Sequence, residues 1–449
     1  MIQKNIKTDV AIVGAGPAGL FAAHELITSG LKITIIDRGK APSERDGDRD
    51  IVYGVGGAGT FSDGKLNLIA EKIGGDLTVT GRSKSSIQKI IEKVDEIFTF
   101  FGAPLNYSGE DQEKLFELKQ RAMQHGIELV AAKQRHIGTT HVRKVIDNFY
   151  RYLLDNGVVF SLGNHIKHIS KTKNGFILEG KNNIQARYLI IAPGRAQSHW
   201  LRPEMQKLGI SPQYGPIDIG VRVEIPYEVY EPISKLMYDA KLRIVSSTDN
   251  LVRTFCTNPK GFVAREDHGD FFLVNGHADS ERKTELTNFA LLCREPLTWP
   301  LSDTAHYGRL KAIDCNNLGG GKPIAQRLID LESGHRSTPE RIGKLMFEPT
   351  LKDITPGDIG LGLPYKTVRN LLEGVERLDK IMPGLRSPHT LLYAPEIKFY
   401  SDRYPIGKYM NTSIPGLFIA GDGSGHCEGI PQSAASGIIA AQGIIFNEK

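Results

Sequence analysis

Three glycines and one acid near the start of the chain could do chemistry together. Gly14, Gly16 and Gly19 stand in "VAIVGAGPAGL", where a short Val/Ile run breaks into glycines and continues with apolar residues at helical spacing. Gly14 permits a tight turn, Gly16 lets the backbone approach a pyrophosphate, and Gly19 allows close helix–strand packing. The helix opening at Pro17 and Ala18 offers free N–H groups and the positive end of its dipole to phosphates. Asp37 closes the next run, "KITIID", at about the 20-residue spacing where a carboxylate can bind ribose hydroxyls. Arg38 follows it and joins the expected cofactor contacts. Strand, glycines, helix, strand and acid in this order predict a dinucleotide site.

A second glycine cluster, "GVGGAGTFSDGKLN", repeats G-x-G-x-x-G at Gly54, Gly56 and Gly59. Its context is wrong for a second site of the same kind. The preceding "SERDGDRDIVYG" is polar and turn-like, and no long apolar helix or later strand-end acid follows. The cluster is therefore expected to serve the same dinucleotide, with Gly57 in backbone contact and Thr60, Ser62 and Lys65 as polar donors.

The elements that must position these residues read as α/β. "ARYLIIAPG" and "IPGLFIAGDG" are buried strands running into glycine turns, "VVFSLGNHIKHISKTKNGFILEG" turns at Asn174-Gly175 as a hairpin, and "QSAASGIIAAQGIIF" is a small-residue helix packed close to something. Residues 215–350 lack β-α-β regularity and look like a separate unit. The expected fold is a discontinuous Rossmann-like nucleotide-binding domain with an inserted α+β substrate or cap domain. The expected division is 1–80, 133–214 and 351–449 for the first, 81–132 as a helical insertion, and 215–350 for the cap. Four scattered cysteines without C-x-x-C argue against a disulfide framework or a dithiol centre. A net charge of +5 fits anionic ligands but not nucleic acid, and no apolar run nears the roughly 18 residues of a membrane span. A cytoplasmic protein is expected.

The end of the chain points to the kind of dinucleotide. "SIPGLFIAGDGSGHCEGIPQSAASGIIAA" resembles the C-terminal FAD signature of the glutathione-reductase-like, two-dinucleotide-binding-domain flavoproteins. The resemblance implies that Asp422, after Gly421, binds the ribityl chain or a nearby phosphate, and that Gly429, Ile430 and Ala434 lie near the flavin ring. "YLIIAPG" resembles the A-T-G strand motif of the same proteins, which brings in Ala192 and Gly194, with Pro193 where Thr is usual. Ile166 is counted in the same FAD set. "GGAGTFSDGKLN", "QRHIGT", "DIGVRVE", "RTFCTNPKGFV", "ITPGDIG" and "APEIKFYS" are similar to a bacterial and archaeal family of FAD-dependent dehydrogenases, over about residues 8–445. The resemblance implies fold and FAD; most of that family has no assigned substrate. This chain departs from the pattern in carrying His426 and Cys427 on the loop near the flavin.

A flavin dehydrogenase must place a substrate carbon at N5 and manage one proton. His136, His277 and His426 are the histidine candidates, and a structural, hydrogen-bonded histidine is the blander reading of each. Arg222 could clamp a substrate carboxylate or make an ordinary ion pair. Cys427 could be redox-active, Cys256 is expected to be packing, and Glu396 and Lys398 could lie near the flavin or form surface pairs. The expectation is hydride transfer between flavin N5 and a small organic substrate. The alternatives are a double-bond reductase fed by NAD(P)H or a small electron carrier, a class A-like hydroxylase, and a flavin-dependent RNA-modifying protein.

Overall fold

A computed structural model describes residues 5–46, 50–62, 64–278, 282–298 and 300–448. The chain divides into two compact units, one of residues 1–107, 132–213 and 401–449, the other of residues 108–131 and 214–400.

The first unit is built on a largely parallel sheet in the order Val159–Ser161, Ile33–Ile36, Asn5–Val13 and Asn183–Ile191. The far edge of Asn183–Ile191 is shared end to end. Gly175–Glu179 pairs antiparallel with its first half, and Leu417–Ile419 pairs parallel with its last three residues. The hairpin expected at Asn174-Gly175 is formed by His168–Thr172 and Gly175–Glu179. Residues 10–13 and 33–36 are buried throughout, as strands covered on both faces must be. Helix Pro17–Leu26 packs against the C-terminal helix Ile430–Glu448. Their approach is backbone on backbone: a Cβ on Gly437 would lie 2.0 Å from the Ala18 carbonyl oxygen. That contact explains the run of small residues in the last helix.

The second unit carries an eight-stranded sheet, with Leu391–Phe399, Ile217–Pro226, Leu286–Arg294 and Leu251–Asn258 as its central antiparallel strands. Alternation sorts its side chains by face. Ile219, Val221, Val223, Leu291 and Val252 join an apolar core with Leu371, Val375 and Leu378 of helix Tyr365–Leu378. Asp218, Arg222, Glu224 and Asn288 point the other way, and all four are buried.

The division differs from the expected boundaries in two places. Residues 351–400 lie in the second unit, because Leu391–Phe399 pairs with Ile217–Pro226 over most of its length. The segment 81–132 is not one insertion. Helix Lys84–Phe100 buries Ile87, Ile91 and Val94 in the first unit, whereas Ile127–Val130 pairs with Lys241–Val245 at the edge of the second unit's sheet. Amphipathic helices announce that they pack, not against which sheet.

Candidate functional site

The glycines of the first motif have separate jobs. Gly14 sits at φ +108°, and a Cβ there would fall 2.1 Å from the Ala192 carbonyl oxygen, so it lets two strand ends touch. Gly19 is filled in the same way by the Gly14 carbonyl, 2.0 Å from where a Cβ would stand. Gly16 is different. It caps helix Pro17–Leu26 with φ −74°, and a Cβ there would meet only the Cα of Gly57, at 3.9 Å. The structure keeps its side-chain position open.

That neighbour answers what the second glycine cluster does. Gly57, at φ +60°, faces Gly16, and its own Cβ would lie 3.1 Å from the Gly16 Cα. Gly59 faces Ile430 at the head of the C-terminal helix, 3.4 Å from where its Cβ would be. Residues 57–61 form a short 3-10 turn that starts no long helix. The second cluster is thus laid against the first and reaches the C-terminal helix.

Asp37 ties the two clusters together. Its carboxylate accepts hydrogen bonds from the backbone N–H groups of Ala15 (2.9 Å), Gly39 (2.8 Å) and Gly54 (2.8 Å). The acid expected to meet a ribose therefore also fixes both glycine loops. Arg38 stacks its guanidinium over the ring of Tyr53. Ile166 is buried in the core that includes Val13 and Ile36.

The polar residues of the second loop are largely committed to the loop itself. Thr60 is buried, and its hydroxyl meets Arg45 Nη1 at 2.8 Å and the Val55 carbonyl at 3.3 Å. Ser62 donates to the Gly59 carbonyl and accepts from the Gly64 N–H. Both hydroxyls bond within the loop, because a glycine-rich turn leaves carbonyls that need donors. Lys65 opens strand Lys65–Asn67, paired with Gln134–His136. Arg45, which sequence reasoning missed, is the staple. It donates from Nη1 to the Val55 carbonyl (2.6 Å) and from Nη2 to the carbonyls of Asp50 (2.8 Å) and Gly57 (3.0 Å). Burial lowers its pKa to about 10. It stands in the polar run "SERDGDRD", which reads as solvated surface, so no signal marked it.

The C-terminal signature closes the cradle. Gly194, at φ +73°, has open space where a Cβ would be. Ala192 donates its N–H to the Val13 carbonyl at 2.7 Å, beside Gly14. Gly421 donates to Ser436 Oγ at 2.8 Å, and Asp422 accepts from Ser401 Oγ at 2.8 Å at the start of a 3-10 turn. Ala434 is wholly buried in the last helix. The loop at Gly74 holds the head of that helix: its carbonyl accepts from Glu428 N–H (2.7 Å) and Gly429 N–H (2.9 Å). Gln432, also unforeseen, donates to the carbonyls of Asn67 and Ile69. Its Oε1 is buried without a partner among the described residues.

The expected proton and redox groups fare differently. His426 Nε2 lies 2.9 Å from the Tyr404 carbonyl, and burial lowers its pKa. Cys427 is fully buried, and burial pushes its thiol up to about 12, which removes the thiolate needed for redox chemistry. His136 is exposed at the end of its strand. In the second unit, His277 ends the hairpin strand Phe272–His277 with its ring 5.1 Å from Phe262. Arg222 is fully buried there. It donates to Asn288 Oδ1 (2.9 and 2.8 Å), to Glu396 Oε1 (3.0 Å) and to the Cys256 carbonyl (2.6 Å). Its donors are spent inside the unit, so it is an internal tie rather than an open carboxylate clamp. Glu396 is buried beside it. Burial pushes this carboxyl up to about 7, against the opposing pull of Arg222. Cys256 is half-buried at φ +46°, held there by its carbonyl's bond to Arg222. It is a strained position rather than the packing residue expected.

Residues 7–46 match the family described as "FAD binding domain". Those residues carry Gly14, Gly16, Gly19 and Asp37. The match supports FAD as the cofactor of this chain. The open position at Gly16, the backbone wall of Gly57 and Gly59, and the orphaned Gln432 oxygen at the helix head fit a bulky cofactor. A protein of Clostridium beijerinckii (strain ATCC 51743 / NCIMB 8052), described as uncharacterized, is 25% identical over 489 residues, 98% of this chain and 81% of that one. Among solved structures, 3-ketosteroid-delta4-(5alpha)-dehydrogenase from Rhodococcus jostii RHA1 is similar at TM-score 0.44 and 12% identity, over 98% of this chain and 96% of that one. L-amino acid deaminase from Proteus vulgaris is similar at TM-score 0.42 and 14% identity, over 100% and 96%. These likenesses assign no residue. Among the described residues, no helix is long and apolar enough to cross a membrane.

Proposed function

We propose that this flavoprotein is a dehydrogenase or reductase that moves a hydride between FAD and a small organic substrate. The observation that carries the reading is the packing of Gly57 on Gly16 and of Gly59 on Ile430, which makes one cradle of two glycine motifs and the C-terminal helix head. Bound FAD supplies hydride exchange at N5. The chain supplies the rest. Gly16 and Gly57 present backbone without side chains, Asp37 and Arg45 hold the loops in register, and the N-termini of helices Pro17–Leu26 and Ile430–Glu448 favour negative charge.

The test is anaerobic mixing of the purified yellow protein with NADPH and then NADH, followed at the flavin absorbance. Rapid bleaching identifies a nicotinamide as the electron donor. Bleaching by dithionite alone means that the substrate or a small electron carrier supplies the electrons. A protein that purifies colourless and takes up no FAD overturns the reading.

A further inference from the structure

Within the first unit, the head of the C-terminal helix is clasped by one segment, residues 67–76. The near end of this segment is mounted on a strand. Lys65–Asn67 pairs with Gln134–His136, the Leu68 N–H donates to the Lys133 carbonyl (2.9 Å), and Asn67 Oδ1 accepts from Gln134 Nε2 (2.8 Å). The far end runs antiparallel to the loop that precedes the helix. Gly75 bridges to Cys427, the Asp76 N–H donates to the His426 carbonyl (3.0 Å), and the Gly74 carbonyl accepts from Glu428 and Gly429. Backbone touches backbone there: a Cβ on Gly75, at φ +122°, would lie 2.2 Å from the His426 carbonyl oxygen. Gln432, the third residue of helix Ile430–Glu448, reaches back to the near end, where its Nε2 donates to the carbonyls of Asn67 (3.2 Å) and Ile69 (2.8 Å).

The two ends of the Gln432 amide are treated differently. The residue is fully buried, its nitrogen makes both bonds, and its Oε1 has no partner among the described residues. That oxygen stands in the space left by two absent side chains: a Cβ on Gly74 would lie 2.4 Å from it, and one on Gly429 2.2 Å. A buried acceptor without a donor costs stability. Turned over, the amide would set its oxygen against two carbonyl oxygens, so its donors must face the segment. Methionine would fill the same space without an orphaned acceptor. What the amide adds over methionine is its pair of donors, which tie a strand-mounted segment to the first turn of the helix.

We propose that Gln432 is a positioning residue: by clasping residues 67–76 onto the C-terminal helix, it fixes the helix head that sets the reduction potential of the bound flavin. The proposal rests on the reading of this helix head as part of the FAD cradle. The positive end of the helix dipole favours the negative charge a flavin gains on reduction, and that effect falls off within the first turn. A helix head free to shift therefore holds the reduced cofactor less well, and the potential falls.

The test compares the native protein with Gln432→Met, both saturated with FAD, by equilibrating the flavin against a reference dye and by amide hydrogen exchange. In the variant the reduction equilibrium should shift at least tenfold towards oxidised flavin, which is about 30 mV for a two-electron couple. Exchange at the Asp76, Glu428 and Gly429 amides should speed up at least tenfold, because those bonds close the same clasp. An unchanged or raised potential overturns the proposal, and so does unchanged exchange at these amides. Should Gln432→Met not fold, Gln432→Asn, which keeps the amide and shortens its reach by one methylene, is read against the same criteria. A native protein that takes up no FAD overturns the cofactor reading and this proposal with it. A native protein that holds FAD, beside a variant of equal potential, overturns this proposal alone.

Discussion

Gly14→Ala and Gly16→Ala differ by one methyl at positions two residues apart, and the structure requires opposite outcomes. At Gly14 the methyl would lie 2.1 Å from the Ala192 carbonyl oxygen in a backbone at φ +108° that alanine rarely adopts. Strain and forced displacement together cost on the order of 3 kcal/mol or more, a large part of a stability of about 5–15 kcal/mol. At Gly16 φ is −74° and the methyl meets only the Gly57 Cα, at 3.9 Å. The loss of a glycine helix cap and the gain from a stiffer unfolded chain nearly offset, so apo stability should move by no more than about 1 kcal/mol. On the proposed reading that the cofactor approaches the Gly16 backbone, FAD should bind about 100-fold more weakly, or about 2.7 kcal/mol. With FAD at 1,000 times the native Kd, ligand stabilisation should drop from about 4 to about 1.4 kcal/mol in Gly16→Ala. Thermal melts with and without FAD, and a flavin fluorescence titration, read both quantities. A Gly16→Ala protein that binds FAD like the native one, or that melts as early as Gly14→Ala, refutes the assignment of the open glycine to the cofactor.

Arg45→Met removes the donors to Val55, Asp50 and Gly57 and should lower stability by about 2–4 kcal/mol and weaken FAD binding, as seen in denaturant unfolding and flavin retention; unchanged retention would mean the second loop holds without its staple. Glu396 binds its proton more tightly folded than unfolded. Stability should therefore fall as pH rises from about 4.5 to about 7, by up to about 3 kcal/mol, and Glu396→Gln should flatten that slope; equal slopes in the two proteins contradict the raised carboxyl. Iodoacetamide at pH 8 should leave Cys427 unmodified in the folded protein, by peptide mass spectrometry, because its thiol titrates only at about 12; modification as fast as in the unfolded chain sinks that assignment.

The first glycine motif was legible because each of its physical demands leaves a residue type behind: a turn, a backbone approach and a tight packing all need glycine at a set spacing. In the second cluster, residues 57–61 form a short 3-10 turn and open no long helix. What the sequence could not show is partnership. Nothing in "SERDGDRD" says that Arg45 turns inward, and nothing in "DIGVRVE" says that Arg222 is tied to Asn288 and Glu396, strands contributed by residues 66 and 174 positions away. His426 and Cys427 looked reactive by type, but reactivity depends on burial, which a loop sequence does not carry. The division of the chain failed for a similar reason. The strand Leu391–Phe399 could have served either sheet, and only its pairing with Ile217–Pro226 assigns it.

The central claim is that two glycine clusters and the C-terminal helix hold one dinucleotide between them. Flavin released from a known amount of the purified chain, after reconstitution with excess FAD and gel filtration, tests it most directly. One FAD per chain, with no second dinucleotide retained, is the predicted result. Two dinucleotides per chain, or none, would contradict it.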